Sequence, residues 1–190
     1  VRKVKCRLCG CDGVSVVYQG PIRDGRVGNF YKSAVSMYQC GSCHTIWHED
    51  LQEDCESFYE SEAYRRSLEG TSSIEDFYRM HDAESLAKFQ YTGTDIFREK
   101  VAADIGCGGG AFLDYVNTVA RKVIAIEPSQ TYRKAMAEKG MDAFPYVSEA
   151  LKEYAGKVDI VVSFDVIEHV QDPLKFVEEA YLLVSGGGKA

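Results

Sequence analysis

No apolar run in this sequence approaches the roughly 18 residues that would suggest a membrane span, and no basic stretch followed by an apolar segment opens it as a secretory leader would. Positive charge is scarce as well: 22 Lys and Arg stand against 29 Asp and Glu, for a formal net charge of −7. Nonspecific nucleic-acid binding draws on clustered Lys and Arg, so a phosphate-coating role is disfavoured. No aromatic and basic stripe offers bases a stacking platform. The expectation is a cytoplasmic protein with neither a membrane nor a nucleic acid as partner. What remains suits a globular chain, because 190 residues with 45% hydrophobic content can bury a core. The charge is uneven: residues 1–50 hold seven Lys or Arg against four Asp or Glu, which marks the front end as chemically distinct from the acidic remainder.

Seven cysteines is an odd number, and four of them form two CxxC pairs, Cys6-Arg-Leu-Cys9 and Cys40-Gly-Ser-Cys43. A disulfide framework is therefore a poorer reading than metal ligation in a reducing compartment. Each CxxC turns the backbone so that both thiolates face one point, and two such turns make a closed tetrahedral Zn²⁺ site with no open position for water. The metal's role is then structural, supplying folding free energy to a segment too short to build a core. A redox CxxC and incidental buried cysteines are the rival readings. Cys11, His44 and His48 are spare candidate ligands, while Cys55 and Cys107 read as ordinary thiols. Between the two knuckles, VSVVYQG and MYQC predict short antiparallel strands and PIRDGRVGN a turn.

A connector follows. From Asp50 to Gly70 the chain is acidic, with Phe58, Tyr59 and Tyr64 at helix-like intervals. Two readings stand: an aromatic stripe packed on a neighbouring domain, or Tyr59 or Tyr64 closing over a cofactor. Ser72 or Ser73 can cap a helix whose apolar side is Ile74, Phe77, Tyr78, Leu86, Ala87 and Phe89, ending near Gly93. His81 lies on a mixed face, with little to mark it as catalytic.

The stretch VAADIGCGGGAFLDYV places four glycines within five residues. Val101–Ile105 suits a buried parallel strand, and the segment from Ala111 to Ala120 has helical apolar spacing, so the glycines form a strand-to-helix turn. Without a Cβ at Gly106, Gly108 and Gly110, the backbone can take positive φ and a ligand can touch the main chain. About 20 residues on, the strand KVIAIE ends in Glu127, a carboxylate placed to accept both hydroxyls of a ribose. A nucleoside-containing ligand follows. The run Gly106-x-Gly108-x-x-Ala111 also fits the dinucleotide fingerprint, which leaves a nicotinamide-dependent oxidoreductase as a rival. Further on come a helix ending near Gly140, the apolar stretch AFPYVSEAL, a strand VDIVVSFD, the run VIEHVQDP, and a helix LKFVEEAYLLV closed by Gly186, Gly187 and Gly188.

Taken in order and at their spacing, DIGCGGGAFL, AIEPS, VDIVVSFDVIEHVQDP and LLVSGGG resemble class I S-adenosylmethionine-dependent methyltransferases over residues 85–190. The CxxC pairs ahead of them resemble the zinc-binding N-terminal domain of bacterial sugar C-methyltransferases. The resemblance implies a Rossmann-like α/β parallel sheet with a small zinc-ribbon-like β module: residues 1–50 as the zinc module, 51–84 as a helical connector, and 85–190 as a methyltransferase domain incomplete at its C-terminus. The sheet is expected to stop at its fourth strand and leave an apolar edge.

The implied cofactors are S-adenosylmethionine and Zn²⁺. Asp104 and the glycine turn would hold the methionine part, with Glu127 on the ribose and Pro128 against the adenine. The end of the third strand would add adenine contacts near Val147, Ser148 and Glu149, while Phe164 and Asp165 flank the sulfonium. Glu168 and His169 are the local pair for a catalytic base, or a structural feature of the turn. The acceptor implied is a small molecule such as a nucleotide-linked sugar. RNA or protein, recognised by the zinc module, is the alternative.

Overall fold

The computed structural model describes residues 4–23, 30–31, 33–49 and 73–190. Cys55, the connector aromatics Phe58, Tyr59 and Tyr64, the candidate cap Ser72 and the middle of PIRDGRVGN lie outside the described residues. The chain divides into two compact units, Val1–Cys55 and Glu56–Ala190.

In the first unit, β1 (Val14–Gly20), β2 (Val35–Cys40) and β3 (Ile46–His48) form an antiparallel sheet in the order β1-β2-β3. The β-branched and aromatic residues of VSVVYQG favour the pleated conformation, yet nearly all of β1 is exposed, and its pairing with β2 shifts register between Val16 and Tyr18. Among the described residues of this unit, the buried ones are Cys6, Gly20, Val35, Ser36 and Cys40. One valine and two cysteines are not a hydrophobic core, so this small sheet needs another source of folding free energy.

In the second unit, Ser73 caps α1 (Ile74–Thr92), its hydroxyl accepting from Asp76 N at 3.1 Å, and Gly93 closes the helix at φ 80°. Then follow β4 (Val101–Ile105), α2 (Ala111–Val116), β5 (Lys122–Ile126), α3 (Gln130–Glu138), β6 (Asp142–Phe144), α4 (Val147–Tyr154), β7 (Val158–Val162), a 3-10 turn at Ile167–His169, α5 (Pro173–Leu183) and β8 (Val184–Lys189). The five strands form a parallel sheet in the order β6-β5-β4-β7-β8.

Strand alternation creates two cores. Ala102, Val123 and Ala125 join Phe97, Phe112, Leu113, Tyr132 and Met136 in one cluster, whereas Ala103, Ile105, Ile124 and Ile126 join Val147, Ala150, Ala180 and Leu183 in the other. Each fully buried side chain of this size contributes about 1.5–3 kcal/mol, so helices are held to both faces. A parallel sheet wound on both sides presents its ligand crevice at the carboxyl ends of its strands.

Three sequence expectations are corrected here. The helix read from Ala111 to Ala120 ends at Val116, and Thr118 then folds back to donate to Tyr115 O at 2.7 Å. Val147, Ser148 and Glu149 are not the end of the third strand but the first turn of α4, with Val147 in the core and Ser148 exposed. The triple glycine does not close the last helix: it forms β8, a fifth strand that pairs with β7 through Val158–Val184 and Ile160–Lys189. The reason is steric. A Cβ on Gly188 would lie 2.8 Å from Asp159 O and 3.0 Å from Val158 O, so this strand reaches its neighbour only without a side chain there.

Candidate functional site

The strand-to-helix turn after β4 is built from both inside and outside the loop. Gly106, Gly108 and Gly110 all hold positive φ, at 79°, 56° and 84°, a region where a Cβ is penalised. Part of the space left by the missing side chains is filled by the protein itself. Phe77 and Ile74 of α1 pack on Gly109, where an added Cβ would meet Phe77 Cδ1 at 2.5 Å, and Val166 lies over Gly106, whose Cβ would meet its Cγ2 at 2.3 Å. Tyr78 adds a hydrogen bond to Gly109 O at 2.7 Å, and Lys139, paired with Asp114 at 2.6 Å, donates to the Tyr78 hydroxyl. The His81 ring lies tilted against Phe77 with centroids 4.5 Å apart.

Glu127 is buried at the end of β5. Its Oε2 accepts from Gly108 N at 3.0 Å and its Oε1 from Ser129 N at 2.8 Å. A carboxylate oxygen can accept more than one hydrogen bond. Arg133 holds the following turn by donating to the carbonyls of Glu127, at 2.7 Å, and Pro128. Asp104, the fourth residue of β4, is 3% exposed, and burial pushes its carboxyl up to about 7, with Lys88 opposing and Glu127 adding to the rise. Burial likewise drives the Cys107 thiol well above its ordinary value, which keeps it neutral.

Across the crevice, Ser163 donates to Ile105 O at 2.9 Å and ties the end of β7 to that of β4. Phe164 packs edge-on against Phe112 with centroids 5.0 Å apart, and Asp165 takes a left-handed φ of 56° and accepts from Lys88 at 2.8 Å. Lys88 also lies 5.1 Å from the centroid of the Phe164 ring and pairs with Glu84 at 2.7 Å. Burial works against its ammonium, but its bonds to Asp165 and Glu84 outweigh that and raise its pKa. Lys88 was missed in the sequence because its partner is 77 residues away. Glu168 and His169 are exposed on the 3-10 turn, where His169 N donates to Val166 O at 2.8 Å. Asp104, Gly106, Gly108, Gly110 and Glu127 are thus brought together at one turn, with Asp165 linked to it through Lys88, while Ser148 stands on α4.

The cysteine cluster belongs to the first unit. Cys6 and Cys43 sulfurs lie 3.5 Å apart, as do those of Cys9 and Cys40, and all four fall within 4.8 Å of one another. Four sulfurs at the usual Zn–S distance of about 2.3 Å around a tetrahedral ion would lie about 3.8 Å apart, so the donor set fits Zn²⁺. Backbone N–H groups of Cys43 and Ser42 point at Cys40 Sγ, at 3.4 and 3.3 Å, and lower its pKa, while the hydroxyl and backbone of Thr45 bring Cys43 to about 6. A backbone N–H at Cys11 favours a Cys9 thiolate, but Cys40 and the other nearby sulfurs, together with burial, push Cys9 up to about 12. Without a cation, the four cannot ionise together. Among the described residues, Cys11, His44 and His48 stand outside this cluster.

A doubly wound parallel sheet, a glycine turn entering a helix and a buried acid at the end of the next strand define a class I S-adenosylmethionine-dependent methyltransferase domain. The chain belongs to the methyltransferase-domain family whose model matches residues 78–190. It is 35% identical over 114 residues to a ubiquinone biosynthesis O-methyltransferase of Caulobacter vibrioides, covering 55% of this chain and 45% of the relative. It is also 35% identical over 101 residues to the protein of the same name from Escherichia coli, covering 49% and 41%. The chain thus spans a little under half the length of these curated relatives. A solved S-adenosylmethionine-dependent methyltransferase of Thermotoga maritima, described as a possible histamine N-methyltransferase, shares the fold with a TM-score of 0.50 at 23% identity, over 66% of this chain and 56% of its own. Among the described residues, no helix is long and apolar enough to cross a membrane.

Proposed function

We propose that this protein transfers a methyl group from S-adenosylmethionine to a small molecule. The observation that carries the reading is the Gly108–Glu127 hydrogen bond, which aims a buried carboxylate at the mouth of a positive-φ glycine turn, with donors already fixing its orientation. When bound, the sulfonium supplies an electrophilic methyl carbon. The chain's part is alignment in a dry pocket: Glu127 holds the ribose, Pro128 lies against the adenine, Asp104 and the glycine turn hold the methionine end, and Phe164 with Asp165 borders the sulfonium side. Glu168 and His169 are the proposed base pair, to accept a proton where the acceptor must lose one.

The acceptor we favour is a nucleotide-linked sugar, which the cysteine module supports through its likeness to sugar C-methyltransferases. An oxygen acceptor of the kind named by the ubiquinone-biosynthesis relatives is the second reading, favoured by 35% identity over the cofactor-binding half. The four cysteines hold one structural Zn²⁺ in this proposal, with residues 1–50 as the zinc module, 51–84 as a connector and 85–190 as the methyltransferase domain. Calorimetry with S-adenosylhomocysteine and with NAD⁺ tests the cofactor: binding of NAD⁺ alone would overturn it. Radiolabelled methyl transfer to nucleotide sugars and to phenolic acceptors separates the two substrate classes.

A further inference from the structure

The chain leaving β7 is tied down at four successive residues. Ser163 donates to Ile105 O at 2.9 Å, Phe164 packs on Phe112, Asp165 accepts from Lys88 at 2.8 Å, and Val166 lies over Gly106 in the place of its missing side chain. The 3-10 turn that carries Glu168 and His169 starts from Val166, whose carbonyl accepts from His169 N at 2.8 Å. The ties at Ser163, Phe164 and Val166 run to β4, α2 and the glycine turn, whereas the tie at Asp165 runs to α1.

Asp165 is where the chain reverses. Its φ is 56°, a left-handed conformation that a residue with a Cβ adopts only where its surroundings hold it, although aspartate tolerates it better than most. The sign of φ at this position decides whether the chain turns back onto Gly106 or runs on away from it. Lys88 holds the carboxylate of this residue, and Lys88 is itself fixed. Glu84 pairs with its ammonium at 2.7 Å one helical turn earlier, in the favoured acid-before-base order, and the Phe164 ring lies 5.1 Å from it. Farther up the same helix, about 15 Å away, Phe77 packs on Gly109 and Tyr78 donates to Gly109 O. A rigid helix thus grips the glycine turn with one part and the exit of β7 with another.

We propose that Lys88 is a positioning residue of the methyl-transfer site: by holding Asp165 in its left-handed turn, it keeps Val166 on the glycine turn and fixes the 3-10 turn that carries Glu168 and His169. The inference rests on the cofactor reading above and deepens it. Lys88 acts through the backbone of the β7 exit and touches neither the cofactor nor the acceptor in this role. Its contribution is to order a cofactor-binding wall in advance, so that a ligand does not spend binding energy on ordering it.

The test combines amide hydrogen exchange with calorimetric titration by S-adenosylhomocysteine. Lys88 is 26% exposed and Asp165 72%, so the bridge stands between a surface ion pair and a buried one. Lys88→Met should therefore quicken exchange at His169 N, and raise the S-adenosylhomocysteine Kd, by about three- to tenfold each. Amides of β4, which open only with the whole domain, are the reference: a bridge that merely stabilised the fold would quicken both sets equally. Lys88→Arg keeps the cation and should restore both readouts. Asp165→Gly is the decisive background, because glycine takes a φ of 56° without help. There, adding Lys88→Met should change neither readout further. Unchanged exchange or unchanged affinity in Lys88→Met overturns the proposal, and so does an equal effect of Lys88→Met in the Asp165→Gly background. In each of those cases the wild type still binds S-adenosylhomocysteine and the cofactor reading stands. Failure of the wild type to bind it overturns the cofactor reading, and this inference with it.

Discussion

The N–H of Gly108 donates to Oε2 of Glu127 at 3.0 Å, joining the glycine turn to the end of the adjacent strand across 19 residues. One bond therefore fixes both walls of the proposed ribose site before any ligand arrives. Glu127→Ala removes the acceptor for the ligand and also leaves Gly108 and Ser129 without theirs. The expected loss in S-adenosylhomocysteine affinity is about 1.5–3 kcal/mol, the range for a hydrogen bond to a charged group. Calorimetry that finds unchanged affinity shows the ribose to lie elsewhere.

The glycines of the turn serve packing and conformation at once, and a substitution separates the two. Gly109→Ala pushes a methyl toward Phe77 and Ile74, and Gly106→Ala meets Val166 in a φ of 79°. Overpacking costs about 1–3 kcal/mol, and a left-handed backbone adds about 1–2 kcal/mol for a residue with a Cβ. Trimming the neighbour with Val166→Ala should restore only the packing part of the Gly106→Ala loss. Complete recovery in urea unfolding would show that the positive φ carries no strain.

The buried state of Asp104 has a consequence for stability with a definite sign. Its carboxyl is raised from 3.8 to about 7 in the folded chain, so between those values the folded state binds more protons than the unfolded one. Stability then falls as pH rises through that window and levels off above it, by a few kcal/mol at most, on the order of 1.4 per pKa unit. Asp104→Asn should remove this slope. An unfolding midpoint in the wild type that rises between pH 5 and 7 by as much as in the variant would count against a raised carboxyl.

The first unit depends on its metal in the reading advanced here. Elemental analysis should give about one zinc per chain, and Cys40→Ser or a strong chelator should unfold β1–β3 while the parallel sheet keeps its cooperative transition. The separation into two compact units makes this observable by limited proteolysis. A folded, metal-free N-terminal sheet would remove the zinc.

Much of this architecture was legible because it is local. Gly93, a serine at 72 or 73 and the short apolar runs of Val101–Ile105 and Lys122–Ile126 act within a few residues, so cap and strands could be read directly. The two CxxC knuckles signalled their cluster by spacing alone. Lys88 gave no such signal: its ion pairs involve Glu84 on its own helix, an ordinary surface pattern, and Asp165, reachable only after α1 folds near the end of β7. Ser148 was misplaced because β6 is only three residues long, Asp142–Phe144, and the apolar run after it belongs to α4. Glycine in β8 ran against strand propensity, and the requirement for it arises from a neighbouring backbone that the local sequence does not contain.

That last strand gives the sharpest test of the fold. β8 covers the outer edge of β7, and its own outer edge is the sequence Ser-Gly-Gly-Gly-Lys, which offers little apolar surface for another chain. At Gly188, a Cβ would meet Val184 Cγ1 at 2.7 Å, Asp159 O at 2.8 Å and Val158 O at 3.0 Å. Two of these are main-chain oxygens of β7 itself, which cannot swing aside as a side chain does. Gly188→Val should therefore detach β8, at a cost of about 1–3 kcal/mol if the strand shifts rather than refolds. The pairing edge of β7, with buried Val158, Ile160 and Val161, would then face solvent. Gly186→Ala is the control, because nothing lies within 4 Å of a Cβ there. Light scattering should show concentration-dependent association for Gly188→Val and not for Gly186→Ala, and hydrogen exchange should quicken along β7 in the first variant only. Equal exchange in the two variants would mean that β8 does not pack against β7 as described.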